Sequence, residues 1–156
     1  MRDDIIKIGE YFEEFLLADQ DGNSFNTEEL KDKKILLSFH PLAWTGVCTK
    51  QMEALERNYD NFTKNNTAAV GLSVDPVPSK KAWAEDMGLE KLKILSDFWP
   101  HGEFASQLGI FIEEKGISGR VNILLNDNGE IVWFKVYDIP ELPDIDEVIA
   151  AVEDNK

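Results

Sequence analysis

The sequence of 156 residues is poor in cysteine, in arginine and in long apolar runs, and each shortage excludes a class of protein. A single cysteine, Cys48, excludes an internal disulfide and a cysteine-rich metal site, so no metal is expected. The longest apolar runs, such as residues 35–37 and 123–125, are far shorter than the roughly 20 residues of a membrane span. We therefore expect no membrane-spanning segment.

Basic residues are also scarce, with 16 Lys plus Arg against 30 Asp plus Glu, which gives a net charge of −14 at pH 7. This charge repels phosphate backbones and anionic lipid surfaces, so neither nucleic acid nor a membrane is an expected partner. The N-terminus, residues 1–4, is acidic and lacks an apolar stretch, so we expect no signal peptide and a cytoplasmic location. The length and the 43% of hydrophobic residues predict a single domain over residues 1–156.

Helix and strand patterns alternate along the chain, and Asn128-Gly129 is a strong hairpin signal between the last two strands. The predicted strands are residues 14–19, 34–40, 67–74, 92–95, 121–125 and 131–136. The predicted helices are residues 27–30 (with Thr27 as a cap), 45–65, 79–87, 103–108 and 145–152. This order is that of a thioredoxin-like α/β fold, with a central mixed β-sheet flanked by helices and a parallel central pair of strands.

The segment over residues 40–48 connects a buried strand to the longest helix. Ligands of open α/β sheets bind outside the carboxyl ends of strands, so this position predicts a site. With Thr45 as the N-cap, Cys48 falls near the third helical position, where the positive end of the helix dipole favours a thiolate. We expect the Thr45 hydroxyl to lie within reach of the Cys48 amide or sulfur.

A thiolate also needs a cation, and the chain has only three arginines. Arg2 lies in the terminal segment, and Arg57 lies on the long helix. Arg120 stands where an apolar strand begins, so its stem is expected to be buried. A buried guanidinium is costly without a partner, which favours Arg120 as the cation of the site.

The pattern Pro41-x-x-x-Thr45-x-x-Cys48 resembles the active site of the peroxiredoxins, which are thiol peroxidases with an elaborated thioredoxin fold. Arg120 at a late strand, Trp83 one crossover after the cysteine, and the segment 95–98 (Leu-Ser-Asp-Phe) also match that family. The stretch 96–102 is similar to the one-cysteine, alkyl hydroperoxide reductase E type. The likeness spans about residues 8–152.

The resemblance implies a mechanism. Cys48 attacks one peroxide oxygen and becomes a sulfenic acid, as hydroxide or alkoxide leaves. Thr45 orients the peroxide, Arg120 holds the thiolate and the leaving oxygen, and Pro41 shields the sulfur from water. The expected substrates are hydrogen peroxide and organic hydroperoxides, with no cofactor, and the expected assembly is a homodimer.

Two features depart from many members of the family. Gln51 stands where they have a glutamate, so Arg120 loses a charged partner. We expect a working site in which the pKa of the thiol is modestly altered. No resolving cysteine exists, so the sulfenic acid must be reduced by an external thiol: a thioredoxin-like, glutaredoxin-like or low-molecular-weight reductant.

Other interpretations stay open at this point. His40, Trp44, Gln51 and Trp83 are candidates for the substrate pocket, but His40 could be a strand-end residue and either tryptophan could serve packing or a subunit interface. A cysteine hydrolase would need a histidine with an orienting group, which neither histidine shows in the sequence. A redox sensor that uses Cys48 oxidation with little turnover is a further alternative.

Overall fold

The computed structural model describes residues 6–12 and 14–155, and the acidic N-terminal tetrapeptide lies outside them. The strands are β1 (Leu16–Ala18), β2 (Ser24–Asn26), β3 (Lys34–Phe39), β4 (Thr67–Ser73), β5 (Lys93–Ser96), β6 (Phe111–Ile112), β7 (Ile117–Ser118), β8 (Arg120–Leu125) and β9 (Ile131–Tyr137). The helices are α1 (Gly46–Arg57), α2 (Tyr59–Lys64), α3 (Val77–Met87), α4 (Glu103–Gln107) and α5 (Ile145–Asp154), with one 3-10 turn at Thr27–Leu30. No helix within the described ranges is long and apolar enough to cross a membrane.

Seven strands form one sheet in the order β2-β1-β5-β4-β3-β8-β9, and β6 and β7 form a separate small hairpin. β3 pairs in parallel with β4, and β4 with β5, whereas β8 runs antiparallel to β3 and to β9. The prediction of a mixed central sheet with a parallel central pair is therefore confirmed. The carboxyl ends of β3, β4 and β5 meet at one edge of the sheet, which is where the candidate site lies.

The central strand β3 is buried along its whole length, because both faces of the sheet are covered. Ile35, Leu37 and Phe39 face one apolar cluster, which contains Phe104 of α4. Leu36 faces a second cluster, on the side of α1, α2, α3 and α5. Burial on both faces explains the continuous apolar run in the sequence, and it gives the site a rigid support.

The prediction of one continuous helix over residues 45–65 is wrong, since the structure has two helices, α1 and α2, on either side of Asn58. The backbone of Asn58 leaves the helical region, with φ −105° and ψ 12°. Its amide side chain donates to the carbonyl of Ala54, so it competes with the helical ladder at this point. Apolar periodicity runs through the break, because both helices bury the same side against the sheet.

The short elements near the N-terminus also differ from the prediction. Asn26, rather than Thr27, caps the 3-10 turn, because its side chain accepts from the Glu28 N–H. The Thr27 hydroxyl instead accepts from the backbone N–H of Phe15. The short strands β2, β6 and β7 were not predicted, since two or three residues are too few to show a period.

Candidate active site

The loop between β3 and α1 is held in place by the partly buried carboxylate of Asp75. Asp75, which follows β4, accepts a hydrogen bond from the Ala43 N–H at 2.9 Å and another from the Ser73 hydroxyl. Trp44 then adopts a left-handed backbone with φ 73°, which turns the chain into α1. The carboxyl end of β4 thereby positions the loop that begins the helix of Cys48.

Cys48 is fully buried and occupies the third position of α1, whose N-cap is Thr45 as the sequence predicted. The positive end of the helix dipole therefore lies beside its sulfur. The sequence had suggested a contact between the Thr45 hydroxyl and the Cys48 amide or sulfur. The hydroxyl makes no hydrogen bond to the Cys48 amide and instead donates to the Leu42 carbonyl at 2.8 Å. That contact closes the loop upon itself and leaves the hydroxyl oxygen as an acceptor.

Arg120 is the cation that reaches the sulfur. It begins β8 with only 2% of its surface exposed, and its Nη1 lies 3.3 Å from the Cys48 Sγ. The same Nη1 donates to the Gln51 Oε1 at 2.7 Å. The Nε and Nη2 atoms both donate to the Ile139 carbonyl, at 2.9 Å and 2.6 Å. The guanidinium is thus clamped from the loop after β9 and directed at the sulfur.

Gln51 lies inside this network rather than on an open pocket wall, since it is buried on α1. Its Nε2 donates to the Ser38 hydroxyl at 2.8 Å and to the Phe39 carbonyl at 3.3 Å. Its Oε1 is thereby turned toward Arg120. Within the part of the chain that the structure describes, Arg120 has no carboxylate in contact. Cys48 is therefore the one ionisable group that accepts a hydrogen bond from Arg120 there.

The other candidate pocket residues divide into buried and exposed ones. His40 and Trp83 are almost wholly buried, and the Trp83 Nε1 donates to the Thr49 hydroxyl at 3.2 Å. The His40 Nε2 lies 3.3 Å from the Lys80 Nζ, so His40 lies behind the loop and not at a pocket mouth.

Pro41, in the loop before α1, is buried as well. Trp44 is half exposed, and its indole N–H donates to the Ser79 hydroxyl.

A model of the AhpC/TSA family matches residues 8–134. The chain belongs to the AhpC/TSA family. It is 34% identical over 128 residues to an alkyl hydroperoxide reductase E of Mycobacterium tuberculosis, which covers 81% of this chain and 83% of that protein. It is 31% identical over 151 residues to a peroxiredoxin of Thermotoga petrophila, over 93% of this chain and 69% of the relative.

Solved structures share its fold. AhpC of Enterococcus faecalis superimposes with a TM-score of 0.87 at 22% identity, over 94% of this chain and 90% of the other. Peroxidoxin BcpB of Mycobacterium tuberculosis superimposes with a TM-score of 0.84 at 22% identity, over 97% and 99%. The predictions of a peroxiredoxin, a thioredoxin-like α/β fold and a thiol peroxidase with one peroxidatic cysteine are confirmed.

Sequence reasoning missed three groups of this candidate site. The Ile139 carbonyl is a backbone group in a loop, and nothing in the sequence marks it. Ser38, which anchors Gln51, reads as an ordinary polar residue in a strand. Lys80 did carry a signal, because it precedes Trp83 by three residues and so shares the buried face of α3.

Within the described ranges, no cluster of three His, Cys, Asp or Glu side chains has the arrangement of a metal site.

Proposed function

We propose that Cys48 is the residue that attacks the peroxide, with Arg120, Thr45 and Pro41 completing the site. In this reaction the Cys48 thiolate forms a bond to one peroxide oxygen and the O–O bond breaks. The other oxygen leaves with the electron pair and takes up a proton to become water or an alcohol. Cysteine is oxidised to sulfenic acid and peroxide is reduced. The observation that carries the proposal is the 3.3 Å contact between the Arg120 Nη1 and the Cys48 Sγ.

The hydrogen bonds of Arg120 suggest how it serves both the sulfur and the leaving oxygen. A guanidinium has five N–H donors. One donates to Cys48, one to Gln51 and two to the Ile139 carbonyl. One N–H of Nη2 therefore has no acceptor within the described residues. We assign it to the leaving oxygen, where negative charge grows as the O–O bond breaks.

Thr45 supplies the complementary group. Its hydroxyl proton is used in the bond to Leu42, so its oxygen can only accept. A peroxide O–H donates to such an oxygen, which orients the attacked oxygen toward the sulfur. Pro41 is buried and has no N–H, and we assign to it the role of keeping water from the thiolate.

The rim of the site suggests the range of peroxides. Leu42 and Trp44 expose 40% and 51% of their surfaces at the loop that leads to Cys48. An apolar rim of this kind favours the organic tail of a hydroperoxide. We propose that the enzyme reduces hydrogen peroxide and organic hydroperoxides alike, in the cytoplasm, as one thioredoxin-like domain over residues 1–156.

Recycling of the enzyme needs an external reductant, because the chain has no second cysteine. A thiolate must attack the sulfenic sulfur with loss of water, and a second thiol must then release Cys48 from the mixed disulfide. A thioredoxin-like protein, a glutaredoxin-like protein or a low-molecular-weight thiol could each perform both steps. We propose a reductant from these three classes.

We further propose a homodimer formed through the loops at the edge of the site. Exposed aromatic side chains concentrate there, with Trp44 on one loop and Phe98 and Trp99 on the next. Trp99 exposes 83% of its surface. Sedimentation at micromolar concentration tests the dimer: Trp99→Ser should shift the population to monomer. Tyr11→Ser, near the β8–β9 turn, should not.

The catalytic proposal is tested by stopped-flow oxidation with hydrogen peroxide and with a bulky hydroperoxide. Cys48→Ser should abolish the reaction, and Arg120→Ala should slow it by two to three orders of magnitude, as is typical for loss of one electrostatic donor. Arg57→Ala, an exposed arginine on α1, is the matched control and should react like the wild type. Wild-type rates in Arg120→Ala would contradict the assignment.

A redox sensor with little turnover is the second candidate, and the full burial of Cys48 favours it, because a bulky reductant reaches a buried sulfur slowly. Steady-state peroxide consumption with a generic dithiol distinguishes the two functions. Repeated cycles support the peroxidase, whereas one oxidation per chain followed by arrest supports the sensor.

A further inference from the structure

Two basic side chains lie buried and in contact behind the site, and the proposed reaction gives neither of them a role. Lys80 on α3 and His40 after β3 are both fully shielded from solvent. The Lys80 Nζ lies 3.3 Å from the His40 Nε2. The Trp83 ring lies beside the imidazole, with centroids 5.3 Å apart. Lysines are almost never fully buried without a partner, because the ammonium is costly to remove from water.

The contact limits the number of protons that the pair can hold. A hydrogen bond between an amine and an imidazole nitrogen needs a proton on one and a lone pair on the other. Burial lowers the pKa of Lys80 to about 7. Burial, followed by the positive charges of Lys80 and Arg120, lowers the pKa of His40 well below its usual value. The pair therefore holds one positive charge below neutral pH, on Lys80, and loses it on the alkaline side.

Three acidic groups act on Lys80 electrostatically, namely Asp75, Cys48 and Asp97, and each of them raises its pKa against the larger, opposite effect of burial. Both carboxylates already accept hydrogen bonds from other groups: Asp75 from a backbone N–H and a serine hydroxyl, and Asp97 from two backbone N–H groups. Within the described ranges, no carboxylate makes a hydrogen bond or an ion pair with Lys80. The Cys48 thiolate is the group among the three whose charge the chemistry needs.

We propose that Lys80, held by His40, is a positioning residue that supplies a second positive charge to the surroundings of Cys48 and stabilises its thiolate. The proposal rests on Cys48 being the reactive thiol of the proposed function. Arg120 donates a hydrogen bond directly to the sulfur, whereas Lys80 contacts His40 and acts on the sulfur through the local electrostatic potential. The charge of Lys80 also depends on pH, so the pair makes the reactivity of Cys48 depend on a second ionisation.

The direction of the effect follows from the charge. Protonated Lys80 favours the thiolate, so its removal should leave less thiolate at any pH below the midpoint of the thiol titration. A change of one unit in that midpoint corresponds to tenfold less thiolate. We expect Lys80→Met to have about three- to tenfold less thiolate, and a correspondingly slower reaction, on the acidic side of neutrality.

The test compares Lys80→Met with Lys81→Met, which removes a lysine from the exposed side of the same helix. Two readouts are measured against pH: the ultraviolet absorbance of the thiolate, and the rate of oxidation by hydrogen peroxide. The thiolate absorbance does not require peroxidase activity, so failure of the proposed function and failure of this proposal are distinguishable. His40→Leu, which removes the acceptor of the Lys80 ammonium, is the second variant, in case Lys80→Met does not fold.

The expected result is a thiolate titration shifted to higher pH in Lys80→Met and in His40→Leu, and unchanged in Lys81→Met. The wild-type rate profile should contain a second ionisation near neutrality that Lys80→Met lacks. The double variant should show less than the sum of the two single effects, because both disrupt one pair. A wild-type titration in Lys80→Met, or additive effects in the double variant, would overturn the proposal.

Discussion

Replacing Gln51 by glutamate should suppress the Cys48 thiolate, because it places a negative charge against the guanidinium that now serves the sulfur. The Arg120 Nη1 contacts both the Cys48 Sγ, at 3.3 Å, and the Gln51 Oε1, at 2.7 Å. The sulfur and the new carboxylate oxygen would therefore be no more than about 6 Å apart. Two unit charges at about 6 Å repel by about 3 kcal/mol at an effective dielectric constant of about 20.

The guanidinium lies in contact with both charges and screens part of this repulsion. We therefore expect a net cost to the thiolate of about 1–2 kcal/mol, which is roughly a tenfold smaller thiolate fraction below the titration midpoint. The oxidation rate at neutral pH should fall with it. The assay is the ultraviolet absorbance of the thiolate against pH, followed by stopped-flow oxidation with hydrogen peroxide.

Gln51→Met is the control, because it removes the Nε2 donations to Ser38 and Phe39 that glutamate also removes, and it adds no charge beside Arg120. If charge is the cause, the glutamate variant shifts the thiolate titration further toward high pH than the methionine variant. Equal shifts in the two variants would refute the electrostatic reasoning. A glutamate variant with the titration and rate of the wild type would show that Gln51 does not tune the site.

Three further predictions follow from single contacts. Lys80→Met should flatten the pH dependence of stability. The folded-state pKa of Lys80, about 7, lies below the unfolded value of 10.5, so the free energy of unfolding of the wild type rises with pH between them, by about 2 kcal/mol from about pH 7 to about pH 9. Denaturant titrations of the wild type, Lys80→Met and Lys81→Met at several pH values measure this rise. Thr45→Val should slow peroxide oxidation by about tenfold or more with an unchanged thiolate titration, and a shifted titration would contradict a purely orienting role. Gly129→Ala should cost about 1 kcal/mol or more in a thermal melt, because φ is +80° and the added Cβ would lie 2.8 Å from the Phe12 carbonyl oxygen; an unchanged melting temperature would contradict this.

The architecture was largely predictable because its strongest signals are local. β3 and β8 are buried on both faces and therefore contain the short apolar runs 35–37 and 123–125. The turn between β8 and β9 has Gly129 at a positive φ of 80°, where glycine is favoured. The position of Cys48 in α1 followed from the N-cap Thr45. What could not be predicted is the break at Asn58, because one amide side chain decides it while the apolar period continues.

The chemistry of the candidate site was predictable in its residue types but not in its contacts. Arg120 could be inferred as a cation because a buried arginine needs a partner. The Ile139 carbonyl that clamps it, and the turn of the Thr45 hydroxyl toward Leu42, depend on loop geometry that no periodicity encodes. Lys80 escaped notice because a lysine on a helix is by default a solvated residue.

The position of β9 at the border of the seven-stranded sheet has a consequence for solution behaviour. It is one of the longest strands, and beyond Ile131 its outer side has no neighbouring strand within residues 6–12 and 14–155. A free ladder of this length is a template on which another polypeptide can add. The partly exposed Lys135 of β9 forms an ion pair with Glu147 at 2.7 Å. Its charge on this edge strand disfavours aggregation by strand pairing between chains.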